Sequence, residues 1–398
     1  MTTRTLVAFV ILMTFLSGCA GKREINDLAL VMAVGIDKVE ERDEIEVSIE
    51  VARPADARGQ TGAPSGNTGD PIWSASSTGK TLFEAIRNLT HFSTRRVFWA
   101  HNFIIIVNED VARDGIADII DFFTRNPELR MRTWIAITPD KAKDLISTMT
   151  GLEVIPGEAL DKLFRYTTIS GVAPKTELMD VQAAYLSDAT HPVIARLSLI
   201  ERGVSNKKVG QSGAIKQVAL RNLGVFKDDK LIGILGDNET RGALPFIEKI
   251  DSGVIALPCP REPEKNITTE IRDHKFKVTP KLENGKPAFD VNVWTTTVVV
   301  EAGCPFSIEN QNDVRKLEDE INKKITADIK AALKKAQKEY KVDFLELGQR
   351  FNNKYPAEWK LVKENWDSTF ADVRISVNVD AEVKSGSLLY KSTRSGKD

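Results

Sequence analysis

Residues 308–340 read IENQNDVRKLEDEINKKITADIKAALKKAQKEY. Within them Val314, Leu317, Ile321, Ile325, Ile329, Leu333, Ala336 and Tyr340 step by three or four, the spacing of one helical face. At 1.5 Å per residue such a helix runs about 50 Å. Its early carboxylates (Glu318, Asp319, Glu320) and late lysines (Lys334, Lys335, Lys338) suit the helix dipole. Downstream, Val373, Ile375, Val377, Val379, Ala381 and Val383 alternate with polar residues, which predicts a long, half-buried strand, expected to be antiparallel. Upstream, strands are predicted at Thr268–Ile271, His274–Val278 and Phe289–Val300. A hairpin is predicted where Leu223–Phe226 and Leu231–Leu235 flank the turn Lys227-Asp228-Asp229-Lys230. One long helix set among strands gives this half an α+β character.

The first half has another rhythm. Leu28–Ile36 and Phe103–Val107 are apolar runs suited to buried strands, and Thr133–Ile137 reads as a further strand. Glu44–Val51 alternates, so it is expected to be a strand with one wet face. Helical spacing appears at Leu82, Phe83, Ile86 and Leu89, at Val111 to Phe123, at Leu145 and Ile146, and at Leu178 to Tyr185. Residues 24–200 therefore predict a mixed sheet with helices packed on it. Residues 54–77, rich in Pro and Gly, read as a flexible loop. The polar, glycine-bearing stretch Arg202–Gly213 marks a boundary. Chain length allows two or three domains, expected as 19–201, a strand-rich 214–272, and 273–391 with the long helix 308–340.

At the N-terminus, Arg4 precedes the apolar core Leu6–Leu16, which Leu16-Ser17-Gly18-Cys19 closes. The core is shorter than the ~20 residues of a membrane span and suits a signal peptide over 1–18. The closing tetrapeptide matches the lipobox of bacterial lipoproteins, with the Cys19 thiol as the atom that would carry diacylglycerol. No later segment approaches a spanning length, so nothing else is expected to cross the bilayer. The roughly 380 residues that follow the leader are too many for one ordinary core. Apolar content of 42% and charged content of 28% suit a globular chain, and a net charge of −1 gives no case for nucleic-acid binding. Cys259 and Cys304 are expected to be unpaired, partly buried thiols, although an extracytoplasmic compartment would permit a bridge. Their spacing and the four histidines make no zinc pattern, so no metal or other cofactor is expected.

Catalytic motifs are sparse. Gly79-Lys80-Thr81 resembles the end of a P-loop, but Ser74 stands where the motif needs its first Gly; a helix start explains the triplet. His91 and His101 flank Arg95, Arg96 and Trp99, a cationic and aromatic cluster able to meet an anion or to bridge a helix and a strand; the structural role is expected. There is no Gly-x-Ser-x-Gly elbow and no carboxylate pair spaced for acid–base work. Lys330, Lys334 and Lys338 line the late polar face of the long helix and are candidates for partner binding.

Read in order, these segments resemble the Ger(x)C family, the C-subunit lipoproteins of spore germinant receptors. The matching residues are Gly18-Cys19, Arg23 to Ala29, Gly35-Ile36-Asp37, Gly79 to Ala85, Phe98 to His101 and Gly115 to Arg125. Val225 to Gly233, Glu239-Thr240-Arg241-Gly242, Cys259-Pro260 and Pro356 to Trp366 complete the set. Ala20 departs from the Trp often found after the lipid Cys, and Phe246 follows Leu244-Pro245 where the family often places an aromatic sooner. The resemblance implies a three-domain α+β lipoprotein on the outer face of the spore's inner membrane. It implies assembly with a multi-span A subunit and a permease-like B subunit, and no catalytic residues. The alternative is a solute-binding lipoprotein that hands a nutrient to a transporter. Such a protein would show two doubly wound α/β lobes, which the strand-rich second half does not suggest.

Overall fold

The computed structural model describes residues 27–53, 72–148, 150, 153, 155–167, 171–204 and 214–385. The first sheet has nine strands in the order β3-β2-β1-β5-β6-β7-β8-β9, with β4 beside β1. Its members are β1 (Leu28–Lys38), β2 (Ile45–Ala52), β3 (Ile72–Gly79), β4 (Arg96–Phe98), β5 (Ile104–Asn108), β6 (Trp134–Thr138), β7 (Val193–Val204), β8 (Ala214–Lys227) and β9 (Lys230–Leu235). β1, β4, β5, β6 and β7 run parallel, while β2–β3 and β8–β9 flank them as antiparallel pairs. Helices α1 (Leu82–Leu89), α2 (Glu109–Asp114), α3 (Ala117–Arg125), α4 (Ala142–Ser147), α5 (Pro156–Arg165) and α6 (Leu178–Tyr185) connect the strands. They divide between the two faces. Ile105, Val107, Ile135 and Ile137 pack with α1, α3 and α6; Ile104, Ile106 and Ala136 pack with α4 and α5. Two covered faces explain why β5 is apolar at consecutive positions.

The second sheet is β10-β11-β12-β13: Gly253–Pro258, Asn266–Glu283, Lys286–Ala302 and Arg374–Lys384. Helix α7 (Asp237–Ile247) precedes it. From the end of β12 the chain crosses back through α8 (Gln311–Lys334), which a π-helical turn extends over Lys335–Tyr340. Three short helices follow, α9 (Leu347–Lys354), α10 (Pro356–Val362) and α11 (Trp366–Phe370). This crossover delivers β13 parallel to β12, in the register Ala288↔Arg374 to Val298↔Lys384. The antiparallel expectation for the last strand is thereby corrected. Alternation reported its one wet face, and that is independent of strand direction. Its outer edge is not left open. The Ala381 N–H donates to Asn322 Oδ1 at 2.8 Å and the Val383 N–H to Glu318 Oε1 at 2.9 Å, so α8 covers an edge that would otherwise template pairing.

Three further expectations change. Ile72–Ser77, read as part of a flexible loop, belongs to β3, an edge strand held to β2 through Val51↔Trp73 and Ile49↔Ala75; residues 54–71 lie outside the described residues. Backbone pairing at an edge does not demand the apolar residues that a strand signal relies on. Cys259 and Cys304, expected as free thiols, form a disulfide with Cα atoms 6.4 Å apart. The Leu257↔Ile267 and Ile267↔Ala302 register brings the two chain segments together, and the bridge is buried with Phe306, Leu317 and Ile321. The wet face expected of Glu44–Val51 is limited to the half-buried Glu44 and Glu46; further along, Ser48 and Glu50 are buried.

β7 and β8 pair antiparallel on either side of residues 205–213, which lie outside the described residues, and positions 272 and 273 both lie within β11, at a register shift between Ile271 and Asp273. One apolar cluster joins the two sheets. It takes Leu223, Val225 and Leu235 from the first, Phe289, Val291 and Val293 from the second, and Ile329, Leu333, Phe351 and Trp366 from the crossover.

Glu50 is the sharpest consequence of covering both faces. Its Oε2 accepts the Gly157 N–H at 2.9 Å, and Oε1 has no hydrogen-bond partner. Burial pushes its carboxyl up to about 8. Between the ordinary value of 4.5 and about 8, the folded chain keeps a proton that the unfolded chain has released. Its contribution to stability is therefore lost as pH rises through that window, by up to about 1.4 kcal/mol per pH unit. Glu50→Gln should gain on the wild type progressively from about pH 5 to about pH 8 in parallel urea titrations. An advantage that stays constant over that range would show that Glu50 is ionised in the fold.

Candidate functional site

Each motif residue can be followed to what it touches. Asp37, at the end of β1, is wholly buried and accepts the Ala142 and Lys143 N–H groups at 2.7 and 3.0 Å. It caps α4, whose own N-cap residue, Lys141, makes no side-chain capping bond. Burial raises its carboxyl above the ordinary range and these two bonds oppose the rise. Gly35 lies under the same helix: a Cβ there would sit 2.9 Å from the Ala142 carbonyl carbon. Gly35-Ile36-Asp37 is thus a helix seat.

Gly79-Lys80-Thr81 opens α1. Thr81 Oγ1 accepts the Glu84 N–H at 3.2 Å, and Glu84 Oε2 accepts the Lys80 N–H at 2.8 Å. This reciprocal cap commits the Lys80 and Glu84 N–H groups to the helix's own start. In the Lys227–Lys230 turn, Asp229 closes the start of α3: its carbonyl accepts the Ile116 N–H at 2.9 Å and its carboxylate the Ala117 N–H at 3.4 Å. Trp99 is buried edge-on against Phe123, whereas His91, Arg95 and His101 are exposed. Arg96 pairs with Glu128 at 2.6 Å.

Glu239-Thr240-Arg241-Gly242 lies on α7 where that helix crosses α8. A Cβ on Gly242 would overlap the Asp328 carbonyl oxygen, so only glycine permits the approach. Asp328, nearly buried, accepts from Arg241 Nε at 2.7 Å and from Lys324 Nζ at 2.8 Å, and Asn238 Oδ1 accepts from both cations. Lys330 and Lys334 are exposed on α8. Lys338, on the π-helical turn, donates to the Ala371 carbonyl at 2.7 Å and pairs with Asp372 at 3.4 Å. Only part of the predicted lysine row therefore lacks a contact of this kind.

Beside this crossing, between α7, α8, β10 and β11, lies a cavity of about 490 Å³, within the range of small-ligand sites. Ile250, Ile255, Ile271, Ile325 and Ile329 supply aliphatic wall. Its carboxylates are already paired: Asp328 as above, and Asp237 with Arg221, whose guanidinium holds that carboxyl below the ordinary range. His274 also lines it, with both ring nitrogens buried and without hydrogen-bond partners. Burial pushes its pKa down, so the ring is neutral at physiological pH. Among the described residues no group of three or more His, Cys, Asp or Glu side chains could hold a metal ion. No helix among them is long and apolar enough to cross a membrane. Cys19 lies outside the described residues. The disulfide and the buried carboxylates Glu50 and Asp343 were not foreseen, since an isolated acid in a strand or loop reads as a solvated one.

Residues 21–199 match the spore germination protein N-terminal domain, and residues 221–386 match the spore germination B3/GerAC like, C-terminal domain. Spore germination protein KC of Bacillus subtilis (strain 168) is 26% identical over 393 residues, spanning 96% of this chain and 95% of its own length. Spore germination protein B3 of the same organism is 26% identical over 377 residues, spanning 92% and 94%. GerQC of Bacillus cereus is 24% identical over 394 residues, spanning 95% and 97%. The crystal structure of the GerBC protein superposes with a TM-score of 0.53 at 19% identity, covering 88% of this chain and 96% of that one, a likeness of fold. With both halves matched in order and relatives aligned almost end to end, this chain belongs to the GerAC-like family of spore germination proteins.

Proposed function

We propose that this chain is a non-catalytic, lipid-anchored subunit of a nutrient germinant receptor. It sits on the outer face of the spore's inner membrane and works with a multi-span A subunit and a permease-like B subunit. One observation carries the reading. The motifs that define the family resemblance are used up in capping and packing: Asp37 on α4, Thr81 on α1, Asp229 on α3, Gly242 on α8. A protein built this way acts through its surface and through where it is held. Cys19 supplies the tether, and the relatives named for spore germination supply the setting. Lys330 and Lys334, with Lys338 at the end of the row, form the partner-binding face.

The anchor is tested by Cys19→Ala in a sporulating host. The variant should leave the membrane fraction or keep its leader, since lipid is the attachment. A Cys19→Ala protein that is cleaved and still membrane-bound would rule lipid anchoring out. The partner face is tested by reversing Lys330 and Lys334 to Glu. Stability should change by under about 0.5 kcal/mol, as at other exposed sites. Recovery of the A and B subunits in detergent pull-downs should fall about tenfold, corresponding to about 1.4 kcal/mol of like-charge repulsion. Lys338→Glu should cost more stability, because it sets a carboxylate against the Ala371 carbonyl and Asp372. Undiminished recovery and normal germination in the double variant would remove this face from the account.

A further inference from the structure

Strand direction gathers a set of exposed residues at one end of the first sheet. β1, β3, β4 and β6 all begin at this end and β2 finishes there, as Leu28↔Arg96, Ala52↔Ile72 and the parallel β5–β6 pairing require. At or just outside those strand ends stand Arg53, the loop from Thr90 to Arg95, Arg96 at the start of β4, and Arg130. Phe92 in that loop is 51% exposed, with its ring 6.5 Å from that of Trp73 at the start of β3. Arg53, Arg95 and Arg130 have no carboxylate partner among the described residues, and Arg96 is the one arginine here held by an acid, Glu128. At the opposite end of the sheet the β1–β2 turn mixes charges, with Glu40, Glu41 and Asp43 beside Arg42, and Glu40 pairs with Lys141.

The position of β1 decides which end can face lipid. Eight residues separate Cys19 from Leu28, and the nine Cα steps between them reach at most about 30–32 Å. β1 and its turn extend about 35 Å from Leu28. A chain tethered at Cys19 therefore cannot lay the Glu41 turn on the bilayer, whereas the Phe92 end is within reach. We propose that this end of the first sheet is a membrane-contacting face whose occupant is the headgroup layer of an anionic bilayer, with Phe92 at the interface and Arg53, Arg95 and Arg130 toward the phosphates. The proposal rests on the lipid-anchor reading. An exposed aromatic ring beside unpaired arginines is the chemistry that such a layer recognises, and it adds the second signal that a lipid tether uses to fix orientation.

The test uses the full lipidated protein in vesicles of phosphatidylglycerol and phosphatidylethanolamine. Because Cys259 and Cys304 are bonded to each other and Cys19 carries lipid, an added cysteine is the thiol that takes a nitroxide. Thr94→Cys should place the nitroxide at headgroup depth, with loss of collisions with a water-soluble nickel chelate, while Glu41→Cys should keep them. Reversing Arg53, Arg95 and Arg130 to Glu should return the Thr94 label to water while the protein still floats with the vesicles. A Thr94 label as water-exposed as the Glu41 label, on protein that floats, would overturn the membrane face and leave the anchor standing. Protein that fails to float would overturn the anchor, and with it the orientation that depends on it.

Discussion

Asp343 is the point at which the two sheets are fastened together. Its side chain is wholly buried, and its four recorded contacts all come from donors: the N–H groups of Leu345, Leu347 and Gly348 and Nε1 of Trp366. Burial drives its carboxyl above the usual range, and the four donated bonds offset that cost in the only geometry that satisfies them. Those bonds shape the turn that follows α8 and start α9. They also fix Trp366, stacked on Phe351 and edge-on to Trp359. The same residue faces the first sheet: its carbonyl accepts the His191 N–H at 2.8 Å and the Thr190 hydroxyl at 3.0 Å, just before β7. His191 continues the link, accepting the Asp228 N–H at Nδ1 and meeting Asp367 at 3.1 Å through Nε2. The apolar cluster around Phe289 and Leu333 includes Trp366, the residue whose Nε1 bonds this polar hub.

The parts of the fold legible from sequence are those whose signal is local. The long helix showed itself through Val314, Leu317, Ile321, Ile329 and Leu333, all buried as their spacing requires. The hairpin at Leu223–Leu235 and the buried strand at Phe103–Val107 were visible for the same reason. What was not legible depends on partners far away in the chain. The direction of β13 is set by the crossover, the pairing of Cys259 with Cys304 by the register of β10–β12, and the burial of Glu50 by α5 lying over an alternating strand. β3 forms from Ile72-Trp73-Ser74-Ala75 because β2 offers it an edge, a contribution that composition cannot report.

The candidate site shows the same division. Sequence could locate the motifs but not say what they do. Gly35-Ile36-Asp37, Lys227–Lys230 and Glu239–Gly242 each prove to be a joint between elements distant in sequence. That gives the family resemblance a physical meaning: it marks the joints of a scaffold. The function proposed above would then reside in the surfaces the scaffold presents and in the proposed Cys19 tether, where side chains carry little local pattern.

The central claim is that these motif residues act by holding the fold. It is tested most directly by measuring folded protein and germination together in Asp37→Asn, Asp229→Asn and Gly242→Ala strains. The account predicts that germination falls in proportion to the loss of folded, membrane-held protein, most for Gly242→Ala, where backbone must move. A variant with the melting temperature and abundance of the wild type, but without germination, would contradict it by showing that a joint residue does chemistry or contacts a partner of its own.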